Sequence, residues 1–431
     1  MSVSAATQHL FGQIILHTVP LLLMFATSYA RQSDKVVILN HADSLVGTQI
    51  DGEQARELIG NVKFSQGSVV VTCDRALQYL KSNKVSFQGV VEIKDDSMRM
   101  VGMRGMYDGN ARTAEAFERV QLEDKTTTLQ AAYGKYFVEE KKAYFKTNVV
   151  VEDTASTLTA DELTYYREEQ KSIADGNVRV VNKENSIAIT GNHFENYKQQ
   201  KYSRMTGQPE VVQTDTSSDG TIDTLIVKSR FMESYQDSLE RLIATDSVSM
   251  TRNGFSAEAG VSVFYTAADS ITLRKSPVVW YTPKKYDDNQ VSGDSIFIKL
   301  KKRRLETVYV RGSAFAISRA DSQHTDRFNQ LTGQEIIMQF ASNKLQQMDV
   351  DQTATSVYYL FDENKPNGLN KTSGDHITFT FSDGKIDQIK VAGGVEGKYF
   401  PEKMVNKQEK EYNLPGFNWR ESHPGKINSA K

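Results

Sequence analysis

The feature that most constrains this chain is a short string that returns at intervals of 29 residues. Most copies begin with residues typical of turns, such as Gly or Asn, so we interpret each copy as a turn followed by a short strand of alternating residues. The copies are GNVKF (60–64), GVVEI (89–93), ERVQL (118–122), TNVVV (147–151) and GNVRV (176–180). A repeat of this length forms a unit too small to bury its own apolar face, so each unit must stack on its neighbours.

A second recurring element lies between these strings and ends in tyrosine. Its copies are CDRALQY (73–79), LQAAY (129–133) and LTADELTYY (158–166). Apolar and polar residues alternate with a period of two, which predicts half-buried strands. Each unit therefore reads as a strand, a polar turn, a strand ending in Tyr, a charged turn and a further strand. The one helix that the pattern allows is short, around Asp51–Leu58, and a loop is the alternative for this segment.

The repeat loosens after about residue 210, and this change suggests how the chain is divided. SGDSIFIKL (292–300), TGQEIIMQF (332–340) and SGDHITFTF (373–381) recur at 40 and 41 residues. The polar stretch 212–224 is a predicted breakpoint, and 282–293 has the composition of a linker or long turn. We predict a repeat region over 31–211, a second, looser one over 225–400, and a polar tail over 401–431 that is unstructured or docked on a partner.

Residues 1–30 have the layout of a secretory signal peptide. They contain no Lys, Arg, Asp or Glu, and the apolar run Ile14–Ala26 is followed by Ser28-Tyr29-Ala30, a small-x-small cleavage site. The amino-terminal part lacks the usual basic residue, so an uncleaved anchor is the alternative. Cleavage near Ala30 predicts a mature protein in the periplasm.

The composition excludes several classes of protein. The hydrophobic fraction of 39% is too low for a multi-span membrane protein and too high for a disordered chain. The formal net charge of −2 does not indicate nucleic acid as a partner. Cys73 is the one cysteine, so we expect no intramolecular disulfide and interpret it as a small buried hydrophobe.

No motif of catalysis, cofactor binding or metal binding is present in the sequence, and its seven histidines are scattered. We therefore predict no enzymatic activity, no catalytic residue, no cofactor and no metal site. Residues 215–223 imitate the start of an EF-hand loop, but Ile226 stands where the bidentate carboxylate belongs, so a polar turn is favoured. The basic run 301–304 is predicted to be a solvated hairpin turn rather than a phosphate site.

The recurring tyrosines have two possible roles. They could stack on sugars, or they could pack at strand ends against the next repeat, which is the commoner use of such residues. The tyrosines concerned are Tyr79, Tyr133, Tyr136, Tyr165 and Tyr197.

The combination of "G-N-V" with a following "A-D-x-hydrophobic-x-Y" resembles the OstA-like family of periplasmic lipopolysaccharide-transport proteins, in its larger Bacteroidetes-type form. The likeness is carried by 41–45, 58–62, 73–76, 89–90, 159–165 and 176–178, and it covers roughly residues 36–275. Two departures are Glu118-Arg119 in place of Gly-Asn and the segment 206–240, which lacks the motif.

The resemblance implies an all-β, elongated and twisted β-jellyroll of two facing antiparallel sheets that stay open along one seam. It also implies that acyl chains of lipopolysaccharide or a related glycolipid lie in the apolar interior while the sugars stay in water. The protein would then be part of a bridge between the inner and outer membranes. Its partners would be the transport components at each membrane, and a homo-oligomer is possible.

Alternation along the repeated strands assigns one face to the interior, where lipid contact is predicted. The other face, with Lys63, Glu92 and Arg179, should be solvated; a shift of one residue would exchange the two faces. The predicted inward, lipid-binding residues are Val62, Phe64, Val69, Val71, Phe87, Val91, Ile93, Val149, Val151, Val178, Val180, Ile187 and Ile189.

The two ends of the stack are predicted to have unpaired edge strands that add a partner strand; the alternative at the second end is that the tail after Pro401 folds back and caps the last edge. These are Val36–Leu39 and Val62–Phe64 at one end, and Ile386–Val391 and Val395–Phe400 at the other. Two other functions remain open. A structural β-solenoid of the cell envelope predicts an interior without room for a ligand, and a carbohydrate-active β-helix enzyme predicts an acidic cluster in a cleft.

Overall fold

The computed structural model describes residues 36–424 apart from 97, 125–126, 184–185, 217–221, 283–288, 302–303, 321–322, 342–343, 364, 383–384 and 422. The predicted signal peptide at 1–30 lies outside the described residues. Within them, the chain is almost entirely antiparallel β-structure, in one continuous sheet of 28 strands. The expected all-β fold is therefore confirmed.

The first part of the chain forms hairpins of long strands. These are β1 (Ile38–His41), β2 (Ser44–Ile50), β3 (Glu53–Gln66), β4 (Val69–Tyr79), β5 (Lys84–Asp95), β6 (Met98–Asp108), β7 (Thr113–Asp124), β8 (Thr127–Phe137), β9 (Lys142–Glu152), β10 (Ser156–Tyr166), β11 (Lys171–Asn182) and β12 (Ile187–Tyr197).

The remaining strands continue the same sheet. They are β13 (Tyr202–Thr206), β14 (Glu210–Thr216), β15 (Ile222–Lys228), β16 (Phe231–Tyr235), β17 (Arg241–Arg252), β18 (Phe255–Tyr265), β19 (Ser270–Arg274), β20 (Val278–Tyr281), β21 (Asn289–Ser292), β22 (Ser295–Lys301), β23 (Arg304–Arg319), β24 (Phe328–Ala341), β25 (Lys344–Asp362), β26 (Lys365–Ser382), β27 (Lys385–Ala392) and β28 (Glu396–Phe400).

The repeated Gly-Asn pair lies in the middle of a strand, where the strand bends. In β3 the pairing with β4 is interrupted between Ile59 and Val62, and both intervening residues have a left-handed backbone (φ 76° at Gly60, 48° at Asn61). Glycine and asparagine adopt this conformation at little cost. The prediction that this string opens a strand after a turn was wrong: the turn-forming residues produce a bulge that folds one long strand.

The aspartate of the second recurring element is the partner of this bend, which we call the corner. The Asn61 Nδ2 group donates to Asp43 Oδ2 at 2.9 Å, and Asn177 Nδ2 donates to Asp161 Oδ2 at 2.8 Å. A Cβ atom on Gly60 would lie 2.3 Å from that Asp43 oxygen, which explains why glycine occupies the position. The two sequence elements thus form one structural device on adjacent strands.

The corner persists where the sequence motif is missing. Glu118 and Arg119 have φ of 61° and 53°, and Gly207 and Gln208 have φ of 75° and 60°. Because neighbouring strands hold these residues from both sides, side chains other than Gly and Asn are forced into the same conformation. Along the chain, therefore, the strand lengths vary from repeat to repeat, whereas each repeat keeps its bend.

The corners divide the sheet into two facing halves. Half-sheet A begins with β2 and ends with β27, and half-sheet B begins with β1 and ends with β28. The apolar residues between the halves form one cluster that extends from Val37 to Phe379. The two halves are joined along the line of corners, and the opposite side, where the hairpin turns lie, is the seam. Each unit thus consists of two bent strands, not several short ones.

Two local predictions need correction. Asp51–Leu58 is not helical: Asp51 and Gly52 form the turn into β3, and the residues that follow pair with β2 on one side and β4 on the other. The segment Val62–Phe64 is not an edge, since it pairs with both β1 and β4. The strands without a second neighbour at the ends of the described sheet are β1 with β2 and β27 with β28.

The predicted breakpoint at 212–224 contains paired strands. β14 and β15 form a hairpin in which Thr216 lies opposite Ile222 and Val212 opposite Ile226. The sheet continues past this position on both sides. The division of the chain into two repeat regions stays a prediction.

The tail after Pro401 is folded against the protein, contrary to expectation. Its described part, with helix α1 (Glu402–Val405), crosses the outer face of half-sheet B as a strap. Val405 and Leu414 pack on Phe315, Val357 and Tyr359 in a second apolar cluster. Arg327, 2% exposed, binds Glu402 (2.7 Å) and Glu409 (3.1 Å) at the start of the strap. Trp280 stacks on His423 near its end.

Candidate functional site

The interior between the half-sheets contains all thirteen residues that alternation assigned to the inward face. Nine are buried, and Val151, Val180, Ile187 and Ile189 are half-buried against the same cluster. On the outer face, Lys63 and Arg179 are exposed. Glu92, expected to be solvated, is half-buried because it pairs with Lys94 (2.7 Å) and Arg99. The arrangement of faces follows the alternation; lipid contact stays a prediction.

The seam is closed in the first part of the molecule by side chains that reach from one half-sheet to the other. The Tyr107 hydroxyl donates to Gln66 Oε1 at 2.7 Å, and Gln66 Nε2 donates to the carbonyl of Gly109 at 3.0 Å. One repeat later, the Tyr136 hydroxyl donates to Asp95 Oδ2 at 2.6 Å. We call these cross-seam contacts the latch.

Asp95 is the buried charge of the latch, with no exposed side-chain surface. Lys141 Nζ donates to it at 2.8 Å, and the Ser68 hydroxyl donates to it at 2.6 Å. Burial by itself would raise the pKa of Asp95, but the hydrogen bonds from Lys141, Ser68 and Tyr136 outweigh it and lower the pKa. Burial and the bond to Asp95 raise the pKa of Tyr136 to about 12.

A cavity of about 650 Å³ lies at the seam in the middle of the molecule. Its volume is within the range of about 300–1,000 Å³ that is usual for small-molecule sites. It is bounded by the ends of strands in both half-sheets, at Tyr235 and Arg241 on one side and at Arg252 and Phe255 on the other. We call the two half-sheet edges that face each other along the seam the lips; at the cavity they form its two rims.

The cavity has an apolar floor that belongs to the interior cluster. Leu242, Phe255 and Phe264 are half-buried there, so part of their surface faces the open space. The apolar residues that line the cavity are Ile187, Leu225, Leu242, Met250, Phe255, Phe264, Ile271, Ile298, Leu300 and Leu305.

The rim of the cavity is charged. Arg252 Nε donates to Asp223 Oδ2 at 2.6 Å, and both side chains are about one quarter exposed (21% and 27%). On the opposite lip, Arg241 pairs with Asp237 and lies over the ring of Tyr235 at 5.0 Å. An apolar floor beneath a charged rim fits an amphiphile, with its apolar part inside and its polar part in water.

The sequence predicted few of the residues that line this cavity. Ile187 is the one member of the predicted set that lines it. Apart from Asn182 and Gln213, the others lie past residue 220, where the motif strings that guided the assignment are absent. Alternation in 241–245 and 261–265 was the available signal, since Leu242, Ala244, Ser262 and Phe264 all face inward.

Other predicted features have these outcomes. Cys73 is buried at 7% exposure, and burial raises the pKa of its thiol to about 12, as for a small buried hydrophobe. Residues 301 and 304 pair as a hairpin end. Among the residues that the structure describes, no group of three or more His, Cys, Asp or Glu side chains is arranged to hold a metal ion.

Comparison with protein families agrees with this architecture. The family model described as OstA-like protein matches residues 34–190. We call residues 34–190, which are similar to this family, the OstA-like region. The OstA-like region spans the latch and ends within β12, whereas the corners and the paired sheet continue to β28. The match is shorter than the 36–275 expected from the motifs.

No curated protein matches the chain. In the part of the chain that the structure describes, no helix is long and apolar enough to cross a membrane.

The matched region ends at residue 190, so most of the residues that line the cavity lie beyond the OstA-like region, on strands that continue its fold.

Proposed function

We propose that this protein binds and transports lipopolysaccharide or a related glycolipid, whose acyl chains lie in the cavity at the open seam. The observation that carries the proposal is the cavity of about 650 Å³, which has an apolar floor and a charged rim. Its family suggests a role in lipopolysaccharide transport, and the cavity supplies a place for the apolar part of such a lipid. No catalytic group is needed for this activity.

The physical basis is transfer of hydrocarbon from water to an apolar surface. Each CH₂ group that leaves water contributes about 0.8 kcal/mol, so even part of an acyl chain binds without specific polar contacts. Leu242, Phe264 and Ile298 present apolar surface on the floor for this purpose. The energy for moving lipid from site to site comes from elsewhere.

The alternative function is a structural β-solenoid or scaffold of the cell envelope that holds no lipid. The closed interior of the first part of the molecule supports it, because Phe64, Phe87 and Phe145 are at most 1% exposed. The cavity between the lips argues against it, because Phe255 and Phe264 are only half-buried there, whereas a purely structural interior would bury them fully.

We further propose that the protein acts in the periplasm, as the family and the predicted signal peptide suggest, and forms part of a bridge between the two membranes. Strand pairing at its ends would supply the contacts. In the complete motif, a corner combines a left-handed pair of residues on one strand with an aspartate on the adjacent one. At one end of the sheet the last corner position has the aspartate (Asp43), and at the other end it has the left-handed pair (φ 73° at Gly393 and 57° at Gly394). A head-to-tail neighbour, whether a transport component of the same fold or a second copy, would therefore place a left-handed pair beside an aspartate at the junction.

The proposal is tested by photo-crosslinking in cells that make lipopolysaccharide. A photoreactive amino acid is placed at Phe264 in the cavity, at Phe64 in the closed interior, and at Lys63 on the outer face. We expect lipid capture at Phe264 and none at Lys63. Capture at Phe64 as well would extend the lipid path through the OstA-like region.

Equal capture at Phe264 and Lys63 would contradict the proposal, because the exposed control has no access to the interior. Absence of capture at both Phe264 and Phe64 would favour the structural scaffold.

A further inference from the structure

A row of aromatic and cationic side chains follows the lip of half-sheet A, on its outer face. Six of them are direct cross-strand neighbours on consecutive strands of the sheet, each at a strand end beside a hairpin turn. In order they are Tyr166, Lys171, Tyr197, Tyr202, Tyr235 and Arg241. We call this row the lip ladder.

Neighbouring tyrosine rings of the ladder pack against one another at tilted angles, and the cations lie over ring faces. The centroids of Tyr197 and Tyr202 are 5.7 Å apart, and those of Tyr202 and Tyr235 are 5.1 Å apart. Lys171 Nζ lies 5.0 Å from the ring centre of Tyr197, and Arg241 lies 5.0 Å from that of Tyr235. The six side chains are half-buried, so each keeps a surface in contact with water.

The ladder continues beyond these six residues. Tyr265 pairs with Arg241 at one end, and Lys142, which lies over the ring of Phe137 at 4.3 Å, pairs with Tyr166 at the other. Neighbouring strands are about 4.8 Å apart, so the seven strands from Tyr166 to Tyr265 extend for roughly 30 Å. This length suits a chain of several units rather than one small molecule.

The ladder touches the cavity. Tyr235, Arg241 and Tyr265 belong to it and also line the cavity at the seam. A molecule whose apolar part lies on the floor at Leu242 and Phe264 would therefore have its polar part beside these rings. This contiguity identifies the occupant of the ladder as the head of the amphiphile.

The chemistry of the ladder fits a saccharide that carries anionic groups. The negative face of an aromatic ring attracts the polarised C–H groups on a sugar face, and Lys and Arg bind phosphate or carboxylate. Glu195 and Glu233 accept hydrogen bonds from the hydroxyls of Tyr197 (3.2 Å) and Tyr202 (2.6 Å), and these carboxylates can also accept from sugar hydroxyls.

We propose that the lip ladder binds the saccharide head of the glycolipid whose acyl chains occupy the cavity. This inference rests on the proposed function and extends it, because the sugars lie on the protein and are not merely left in water. The ladder gives the head a path along the outside of the seam, and the floor gives the acyl chains a path along the inside.

Cross-strand aromatic pairs also stabilise sheets, so the test needs a matched pair without the proposed role. Phe297 and Tyr309 form such a pair on the outer face of half-sheet A, with centroids 5.9 Å apart and Arg311 over the Tyr309 ring at 5.4 Å. They lie away from the cavity and outside the ladder. The test variant is Tyr197→Leu with Tyr202→Leu, and the control is Phe297→Leu with Tyr309→Leu.

Three probes are measured with the full chain and each variant: lipopolysaccharide, the saccharide left after its acyl chains are removed, and a fluorescent fatty acid. We expect the ladder variant to bind lipopolysaccharide about tenfold more weakly, as the loss of two stacking contacts predicts. It should lose the deacylated saccharide and keep its affinity for the fatty acid. The control variant should bind all three as the unmodified protein does.

A further variant, Tyr197→Phe with Tyr202→Phe, keeps the rings and should retain most of the affinity for the saccharide. The proposal is overturned if the ladder variant binds lipopolysaccharide as tightly as the control, or if it loses the fatty acid equally. If the unmodified protein does not bind the fatty acid and binds lipopolysaccharide no more tightly than the saccharide alone, the proposed acyl-chain site fails and saccharide binding by the ladder stands. If it binds the fatty acid but no saccharide, the proposal for the ladder is wrong and the proposal that the cavity holds acyl chains is kept.

Discussion

The OstA-like region and the middle of the molecule share one fold but differ in how their interiors are filled. In the first, Phe64 and Phe145 are buried to 1% exposure or less, and polar side chains tie the half-sheets together across the seam. In the second, Phe255 and Phe264 are half-buried beside a cavity. In both regions the corners produce the space between the half-sheets. The side chains at the strand ends determine whether that space is open at the seam.

The inward residue next to the last position of several strands in half-sheet A differs between the two regions. It is tyrosine in β6 and β8, where Tyr107 and Tyr136 reach Gln66 and Asp95 in the opposite half-sheet. In β12 and β16 the same position is occupied by Asn196 and Ser234. These shorter side chains span less of the seam, and Ser234 lines the cavity.

Truncation of one phenylalanine in each region should give the largest difference. Phe64→Ala removes a fully buried ring and should lower the free energy of unfolding by about 4 kcal/mol. Phe264→Ala removes a ring that is already partly in contact with water and should cost about 2 kcal/mol or less. Denaturant unfolding of both variants measures the two losses. Equal losses would show that the middle region is packed as tightly as the OstA-like region.

Removal of the latch carboxylate should have the next largest effect. Asp95→Ala leaves Lys141 and Tyr136 without their partner and should cost about 3 kcal/mol. The adjacent Asp96, 61% exposed, also contacts Lys141, at 3.3 Å; its replacement by alanine should cost about 1 kcal/mol or less, part of it because the backbone there is left-handed (φ 53°). In the middle region, Asp223→Ala breaks the pair with Arg252 and should cost about 1 kcal/mol.

Unfolding monitored with the Asp95→Ala, Asp96→Ala and Asp223→Ala variants checks this order. A loss for Asp95→Ala as small as that for Asp96→Ala would mean that the latch does not hold the seam closed. The comparison between the two regions would then rest on apolar packing alone.

Acid should weaken the latch by a smaller amount. The pKa of Asp95 is lowered in the folded protein, so its charge stabilises the fold above its unfolded pKa. That stabilisation is lost as the pH falls through the folded pKa. The effect should be smaller than that of Asp95→Ala, because a protonated carboxyl still forms hydrogen bonds with Tyr136 and Ser68.

Hydrogen exchange in the OstA-like region at decreasing pH measures this loss, with Asp95→Asn as the matched uncharged variant. The difference in protection between the unmodified protein and Asp95→Asn should shrink towards zero in acid. A difference that stays constant would contradict the assigned role of the charge.

The alternation of residues predicted much of the fold because it is local. Val62 and Phe64 face inward and Lys63 faces outward, as a period of two requires. The Gly-Asn string was recognised but misplaced, since left-handed residues serve a turn and a mid-strand bulge equally well. The strap was missed because its contacts, such as Arg327 with Glu409, join residues far apart in the chain.

Tyr165 and Tyr166 mark the limit of the local signal. They are adjacent, both close the same recurring string, and the sequence offers two roles for such tyrosines. Tyr165 packs in the interior, whereas Tyr166 is on the outer face beside Lys171 in the lip ladder. Their separation follows from strand geometry, but the ladder becomes visible only when strand ends from several hairpins are placed side by side.

The sequence by itself determined that this chain is all-β, repeated and apolar on one face of every strand, because those properties depend on neighbours one or two residues apart. Only the tertiary structure decided where the interior is closed and where it is open. That decision depends on pairs such as Gln66 with Tyr107 and Asp95 with Tyr136, which are 41 residues apart. A side chain closes the seam only if it is long enough to meet a partner that folding has brought opposite it.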